Sequence, residues 1–250
     1  MIKEFAEYPE LFGKRVLVTG GSRGIGRAMV NAFAENGCKV VFYYEKNGAA
    51  AESTEMESGA LAIRCDVSDP DAVGDAVEKA ADIMGGIDIL VNNAAVSKIG
   101  LFTDMGDDEW AHMMGVNLSG AFSVTRAAAK YMIGQQSGRI VNIGSMWGKT
   151  GASCEVAYSA TKAGLRGFTM SLAKELGPSG ITVNCIEPGV IETEMNASLS
   201  EDAIESLVDE TPLCRIGDPA DVANLALFLS SNSASFITGQ CIGVDGGYAI

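Results

Sequence analysis

The chain has 250 residues, 47% of them hydrophobic, a formal charge of −14, and a single histidine. That length supports one large domain with a sizeable core, or at most two small ones. The charge argues against a nucleic-acid surface and weighs against a strongly acidic partner. Six scattered cysteines with no CxxC pair, beside one His, argue against a zinc site and point to a reducing, cytoplasmic setting. The N-terminal "MIKEFAEYPELFGKR" lacks the apolar run of a signal peptide, and no apolar stretch is long enough to span a membrane.

Short apolar runs alternate with longer amphipathic ones. "RVLVTG" (15–20) predicts the first strand, followed by a helix over 24–36. "KVVFYY" (39–44) precedes a helix near 49–57, and "LAIRCD" (61–66) precedes one over 70–84. "SDPDAV" supplies that third helix with a capping side chain and an early Pro. "IDILVNN" (87–93) leads into a long helix over 107–134, and "GRIVNIGS" (138–145) into another over 155–176. "ITVNCIEP" (181–188) is followed by an acidic segment, a helix over 219–230 opened by "GDPADVA", and a last strand at "QCIGVDGG" (240–247).

The strands are rich in Val and Ile and often lack in/out alternation, as strands covered on both faces do. The pattern predicts an α/β Rossmann fold in a single domain spanning 1–250. Its core is a doubly wound, seven-stranded parallel sheet with helices on both faces and right-handed crossovers. The segment at about 190–212 reads as a substrate-loop insertion over the site mouth.

Ligands of such sheets sit beyond the carboxyl ends of the strands. Gly20, Gly24 and Gly26 follow the first strand as TGxxxGxG, with Ser22, Arg23 and Ile25 between them. Glycine there permits the turn and lets backbone N–H groups approach a pyrophosphate at the helix N-terminus. The second strand ends in Tyr44, where an NAD enzyme usually places an acidic residue for the ribose 2′-OH. Arg23, helped by Lys46, can take a 2′-phosphate instead, which favours NADP (NADPH). Glu45 is the dissenting residue: shifted one step, it becomes a ribose ligand and the cofactor NAD.

"CEVAYSATKAG" holds Tyr158 and Lys162 four residues apart, on one face of a predicted helix. Alone the spacing means little, since roughly one chain in four of this composition would hold such a pair by chance. Its neighbours give it weight. "TGGSRGIG" (19–26), "NNAA" (92–95), Asn117 in "VNLSG", Ser145 in "NIGSMWG", "YSATK" (158–162), "PGVIET" (188–193) and "ITGQCIGVDGGY" (237–248) occur in this order. Together they resemble the short-chain dehydrogenase/reductase family across essentially the whole chain, with the branch of 3-oxoacyl-acyl-carrier-protein reductases nearest.

The resemblance implies an NADPH-dependent carbonyl reductase or alcohol dehydrogenase. Tyr158 would be the general acid, with its pKa lowered by Lys162. Lys162 would also hold the nicotinamide ribose, and Ser145 would hydrogen-bond the carbonyl oxygen. Asn117 would anchor a water in a proton relay; a helix-kinking residue satisfied by backbone is the competing reading. Asp66 and Val67 would flank the adenine, with Asn93, Ala94, Ala95 and Ile143 along the adenosine and ribose path. Pro188, Gly189, Ile191 and Thr193 would close over the nicotinamide. Position 95, usually Gly in the family, is Ala here.

Substrate choice rests on less ordered parts. Lys130 is retained where the branch docks an acidic carrier, but the weakly basic "GQQSGR" (134–139) and Ser179 stand where that branch tends to be basic. Trp147 is a candidate pocket wall, as is Cys154, for which plain packing is an equal reading. The loop ending in Cys154 and Glu155 also resembles 5-aminopentanone reductases acting on modified elongation factor P, which is the second reading. The substrate is a small-molecule, carrier-linked or protein-linked carbonyl, with no nucleic acid or membrane as partner. A non-catalytic NADP-binding regulator is the reading from another class. An apolar last strand and two long helices suggest a homotetramer.

Overall fold

The protein is described by a computed structural model covering residues 5–196 and 200–249; residues 197–199 of the predicted insertion lie outside the described residues. Seven strands form one sheet: β1 (Arg15–Val18), β2 (Lys39–Tyr44), β3 (Leu61–Arg64), β4 (Ile89–Asn92), β5 (Gly138–Ile143), β6 (Ile181–Pro188) and β7 (Cys241–Val244). Their order is β3-β2-β1-β4-β5-β6-β7, and every pairing is parallel. The order reverses between β1 and β4, so the crevice for a ligand opens at the carboxyl ends of those two strands.

The helices are α1 (Gly24–Glu35), α2 (Gly48–Ser58), α3 (Pro70–Met84), α4 (Asp107–Met114), α5 (Ala121–Gln135), the single turn α6 (Trp147–Thr150), α7 (Val156–Leu176), α8 (Glu201–Glu210) and α9 (Pro219–Ser230). The β period of two sorts strand residues into two cores. Val16, Val18, Phe42, Val91 and Ile186 meet Met29 and Phe33 of α1 and Val222 and Leu227 of α9. Their neighbours Leu17, Val41, Leu90 and Val183 face Val77 and Ala80 of α3, Val124 and Met132 of α5 and Leu176 of α7. Both faces are covered, which is why the strands read as continuous apolar runs.

The caps agree with the punctuation of the sequence. Asp69 accepts from the backbone N–H of Asp71 and Ala72 with Pro70 behind it, and Asp218 forms a capping box with Asp221. Asn47 and Ser200 cap α2 and α8. The predicted single helix over 107–134 is interrupted: Gly115–Gly120 is a π-helical turn between α4 and α5. A wider turn of this kind is common at functional sites, and it carries Asn117.

Candidate active site

β1 passes into α1 through a turn in which Gly20 (φ +66°) and Gly24 (φ +52°) are left-handed. Gly26 is needed for a different reason. A Cβ there would lie 2.0 Å from the Gly20 carbonyl oxygen and 2.6 Å from the Asn93 amide nitrogen. The turn is pinned to β4 by Thr19, whose hydroxyl accepts from the backbone N–H of Asn93 (2.9 Å) and Ala94 (3.0 Å). The Asn93 side chain donates back to the carbonyls of Thr19 and Gly20, both at 3.0 Å. Arg23, the N-cap of α1, makes no side-chain cap. The first-turn N–H groups of α1 thus face a cradle of bare glycine backbone, a fit for a pyrophosphate.

A cavity of about 380 Å³ runs from this turn over the ends of β2 and β3. It brings together Gly20, Ser22, Arg23, Gly24, Ile25, Gly26 and Tyr44 with Asp66, Val67, Asn93, Ala94 and Ala95. Asp66 accepts from the Ser68 hydroxyl (2.7 Å) and backbone N–H (2.9 Å), and these bonds hold its carboxyl below the usual range. Glu45 pairs with Lys46 at 2.8 Å on the exposed rim. The Arg23 guanidinium is exposed and makes no ion pair or side-chain hydrogen bond among the described residues. Ala95 is not among the residues with positive φ, so the turn after β4 accepts a side chain where the family usually has glycine.

A second cavity, of about 400 Å³, shares Ile25, Asn93, Ala95 and Thr193 with the first. It is walled by Ile143, Ser145, Trp147, Tyr158 and Lys162 on one side and Pro188, Gly189, Ile191 and Thr193 on the other. A further cavity of about 940 Å³ opens beyond the 190–196 segment against α1 and contains none of Ser145, Tyr158 and Lys162. The two connected clefts form the candidate site.

Three side chains converge there. Ser145 is buried just beyond β5, its hydroxyl accepts from the Trp147 backbone N–H at 3.2 Å, and it lines the same cleft as Tyr158. Lys162 is 2% exposed. Its ammonium donates to the Ile143 carbonyl at 2.7 Å and lies 5.4 Å from the Tyr158 ring centroid.

The expected lowering of the Tyr158 pKa is not what this arrangement produces. Burial pushes the phenol up to about 12; the Ser145 hydrogen bond opposes this and the Glu155 carboxylate adds to it. The ammonium lies over the ring rather than against the phenol oxygen, and one of its protons is committed to Ile143. Burial in turn draws Lys162 down to about 8. The pair is therefore a protonated phenol beside a cation on the edge of losing its charge.

Asn117 is buried one shell back. Its oxygen accepts from the Val96 N–H (2.8 Å), and its amide donates to the Val96 carbonyl (2.9 Å) and the Thr161 hydroxyl (3.2 Å). It ties the π-turn to the loop after β4 and to α7, and with Lys162 it lines a void of about 10 Å³, roughly the room one water needs.

Trp147 lines the cleft and meets Tyr248 edge-on, with centroids 5.7 Å apart. Cys154 is not in the wall; its backbone is left-handed (φ +64°), and the cleft is lined instead by Glu155, bonded to the Ser97 hydroxyl at 2.8 Å. Ser97 escapes a reading of strand ends because it lies several residues past β4. So does a buried chain joining Thr125, Asn92, Asn142 and Thr169, which holds β4 and β5 against α5 and α7.

Residues 20–249 match the family described as enoyl-(acyl carrier protein) reductase. A 3-oxoacyl-acyl-carrier-protein reductase of Aquifex aeolicus is 44% identical over 95% of this chain and 98% of its own. A short-chain dehydrogenase of Burkholderia cenocepacia, solved in complex with NADP, superposes with a TM-score of 0.90 at 36% identity, covering 96% of this chain and 99% of its own. A 3-oxoacyl-acyl-carrier-protein reductase of Brucella melitensis gives 0.90 at 39% identity, over 97% and 94%. The chain belongs to the family described as enoyl-(acyl carrier protein) reductase and, with it, to the short-chain dehydrogenases/reductases.

Proposed function

We propose that the protein is an NADPH-dependent carbonyl reductase of the 3-oxoacyl-acyl-carrier-protein reductase type. The observation that carries the reading is the convergence of Ser145, Tyr158 and Lys162 in one cleft continuous with the cavity over the glycine cradle, with the Lys162 ammonium over the Tyr158 ring. A bound nicotinamide dinucleotide supplies hydride to the carbonyl carbon. Tyr158 gives its proton to the carbonyl oxygen, and Ser145 donates to that oxygen as its charge develops. Lys162 keeps positive charge beside the phenol, and Asn117 acts as a positioning residue, holding the π-turn against α7. Asp66 and Val67 border the adenine, and Val190, Ile191, Thr193 and Asn196 border the cleft on the substrate side.

Arg23 decides for NADPH. Its guanidinium is unpaired among the described residues and lines the adenosine-end cavity, while the competing Glu45 carboxylate is occupied by Lys46. One charged hydrogen-bonding partner of this kind is worth roughly 1.5–3 kcal/mol, so NADPH should exceed NADH by about 10- to 100-fold in kcat/KM. Arg23→Ala should narrow that ratio, and a strong NADH preference in the unaltered protein rejects the assignment. The substrate panel pairs NADPH with short β-keto thioesters, steroid ketones and aminopentanone-modified elongation factor P. The β-keto thioester should turn over fastest; a preference for either other class rejects the carrier-linked reading.

No helix among the described residues is long and apolar enough to cross a membrane, in keeping with the cytoplasmic setting we propose. The same two helix systems that the sequence singled out expose large apolar side chains: Trp110, Phe122 and Ile133 on α4 and α5, Val156 and Met170 on α7. Single exposed apolar residues are ordinary, but rows of them mark contact faces. They support a homotetramer, which light scattering should report; a monomer there rejects it.

A further inference from the structure

Two thiols behind the catalytic turn have no part in the reduction. Cys185 on β6 and Cys241 on β7 are register partners, so both side chains leave the same face of the sheet. Their sulfurs and a Glu187 carboxylate oxygen all lie within 4.8 Å of one another. Neighbouring strands run about 4.8 Å apart, inside the Cα separation of roughly 4.4–6.8 Å that a disulfide takes. Closing a bridge therefore needs side-chain rotation and little backbone movement.

Glu187 does not turn this group into a metal site. Both of its oxygens accept from the Arg166 guanidinium, so the carboxylate is committed and two sulfurs remain. The sulfurs are also unequal. Cys185 is buried and Cys241 half-buried. The neighbouring Cys185 thiol, and then the Arg166 charge, hold the Cys241 thiol below its ordinary range, against burial and the Glu187 charge. Cys185, whose S–H donates to the Ile186 carbonyl at 3.7 Å, is pushed well above its ordinary range by the neighbouring Cys241 sulfur and by burial. The less buried of the two thiols, Cys241, is also the one whose thiolate is favoured. The Cys185 sulfur also packs against Gly144, where a Cβ would lie 2.8 Å from it.

We propose that Cys185 and Cys241 are an oxidisable dithiol that a hydroperoxide converts to an intramolecular disulfide linking β6 to β7. The Cys241 thiolate attacks the distal oxygen of the O–O bond and becomes a sulfenic acid. The leaving alkoxide or hydroxide takes up the proton Cys241 had released. Cys185 then attacks the Cys241 sulfur, and hydroxide departs as water with the Cys185 proton. Two thiols and one hydroperoxide give one disulfide, one alcohol (water, for hydrogen peroxide) and one further water; the sulfurs lose two electrons and the O–O bond gains them.

The test is peptide mapping of the whole protein after hydrogen peroxide, with alkylation under denaturing, non-reducing conditions. We expect loss of two of the six alkylatable thiols, a linked Cys185–Cys241 peptide, and full recovery with dithiothreitol. The exposed Cys214 stays alkylatable throughout as an internal control. Cys241→Ser protein should form no bridge and keep its remaining thiols. Retention of all six thiols, a sulfinic acid at Cys241 with Cys185 still free, or a Cys241–Cys241 link between two chains would overturn the proposal. The mapping uses the unaltered protein, so it stands even where a variant folds poorly.

Discussion

Tyr158→Phe lowers turnover of a ketone substrate by roughly 10²- to 10⁴-fold, the range a positioned proton donor supplies. The loss falls on kcat, while NADPH binding stays nearly unchanged, because Tyr158 lines the cleft with Ser145 and Lys162 and not the cavity over the glycine turn. Phenylalanine keeps the ring that lies under the Lys162 ammonium and deletes only the donor. The pH profile carries a second expectation. With Tyr158 pushed up to about 12, the acid form persists across the working range, so phenol ionisation does not limit reduction there. Lys162, drawn down to about 8, is the group whose loss of charge shows first. For the unaltered enzyme kcat/KM should be flat below about pH 8 and decline above it. Steady-state kinetics over pH 6–10 with fluorescence titration of NADPH measure both. Unchanged turnover in the variant refutes the acid role, and a decline that begins well below pH 7 refutes the Lys162 assignment.

Strands and caps were legible because their causes are local. A period of two with both faces covered leaves a Val- and Ile-rich run, and Pro70 and Pro219 mark helix starts that Asp69 and Asp218 cap. The glycine turn was legible for a related reason: a carbonyl 2.0 Å from where a Cβ would stand leaves only one residue type at position 26. The direction of the Tyr158 shift was not legible, since it depends on where the ammonium points. Helical spacing places Lys162 beside the ring, but only the fold shows Ile143 taking its proton. The interruption at Gly115–Gly120 was likewise hidden, because a π-turn adds no residue with a signature of its own. Cys185 and Cys241 stand 56 positions apart, and only the strand register brings them together.

Lys162→Met should abolish most turnover and yet raise stability at neutral pH. The ammonium is 2% exposed, so solvent screening does little to discount its burial. Its folded pKa is lowered from 10.5 to about 8, and the cause is desolvation rather than any partner. The sign follows directly. Below pH 8 the group is charged in both states, and the native state carries the desolvation cost, roughly 3 kcal/mol. Between about 8 and 10.5 the unfolded chain holds more protons than the native one, so the cost fades as pH rises. Methionine removes the charge while filling much of the same volume. It forfeits the ammonium's bond to the buried Ile143 carbonyl, worth roughly 1.5–3 kcal/mol as a bond to a charged group. The net gain is between zero and about 1.5 kcal/mol at pH 7, turning into a loss near pH 10. Denaturant midpoints at those two pH values measure it, and a variant that is less stable at pH 7 contradicts the argument. A gain paired with lost turnover would mean that the protein keeps a buried cation at the expense of stability because the reaction needs it there.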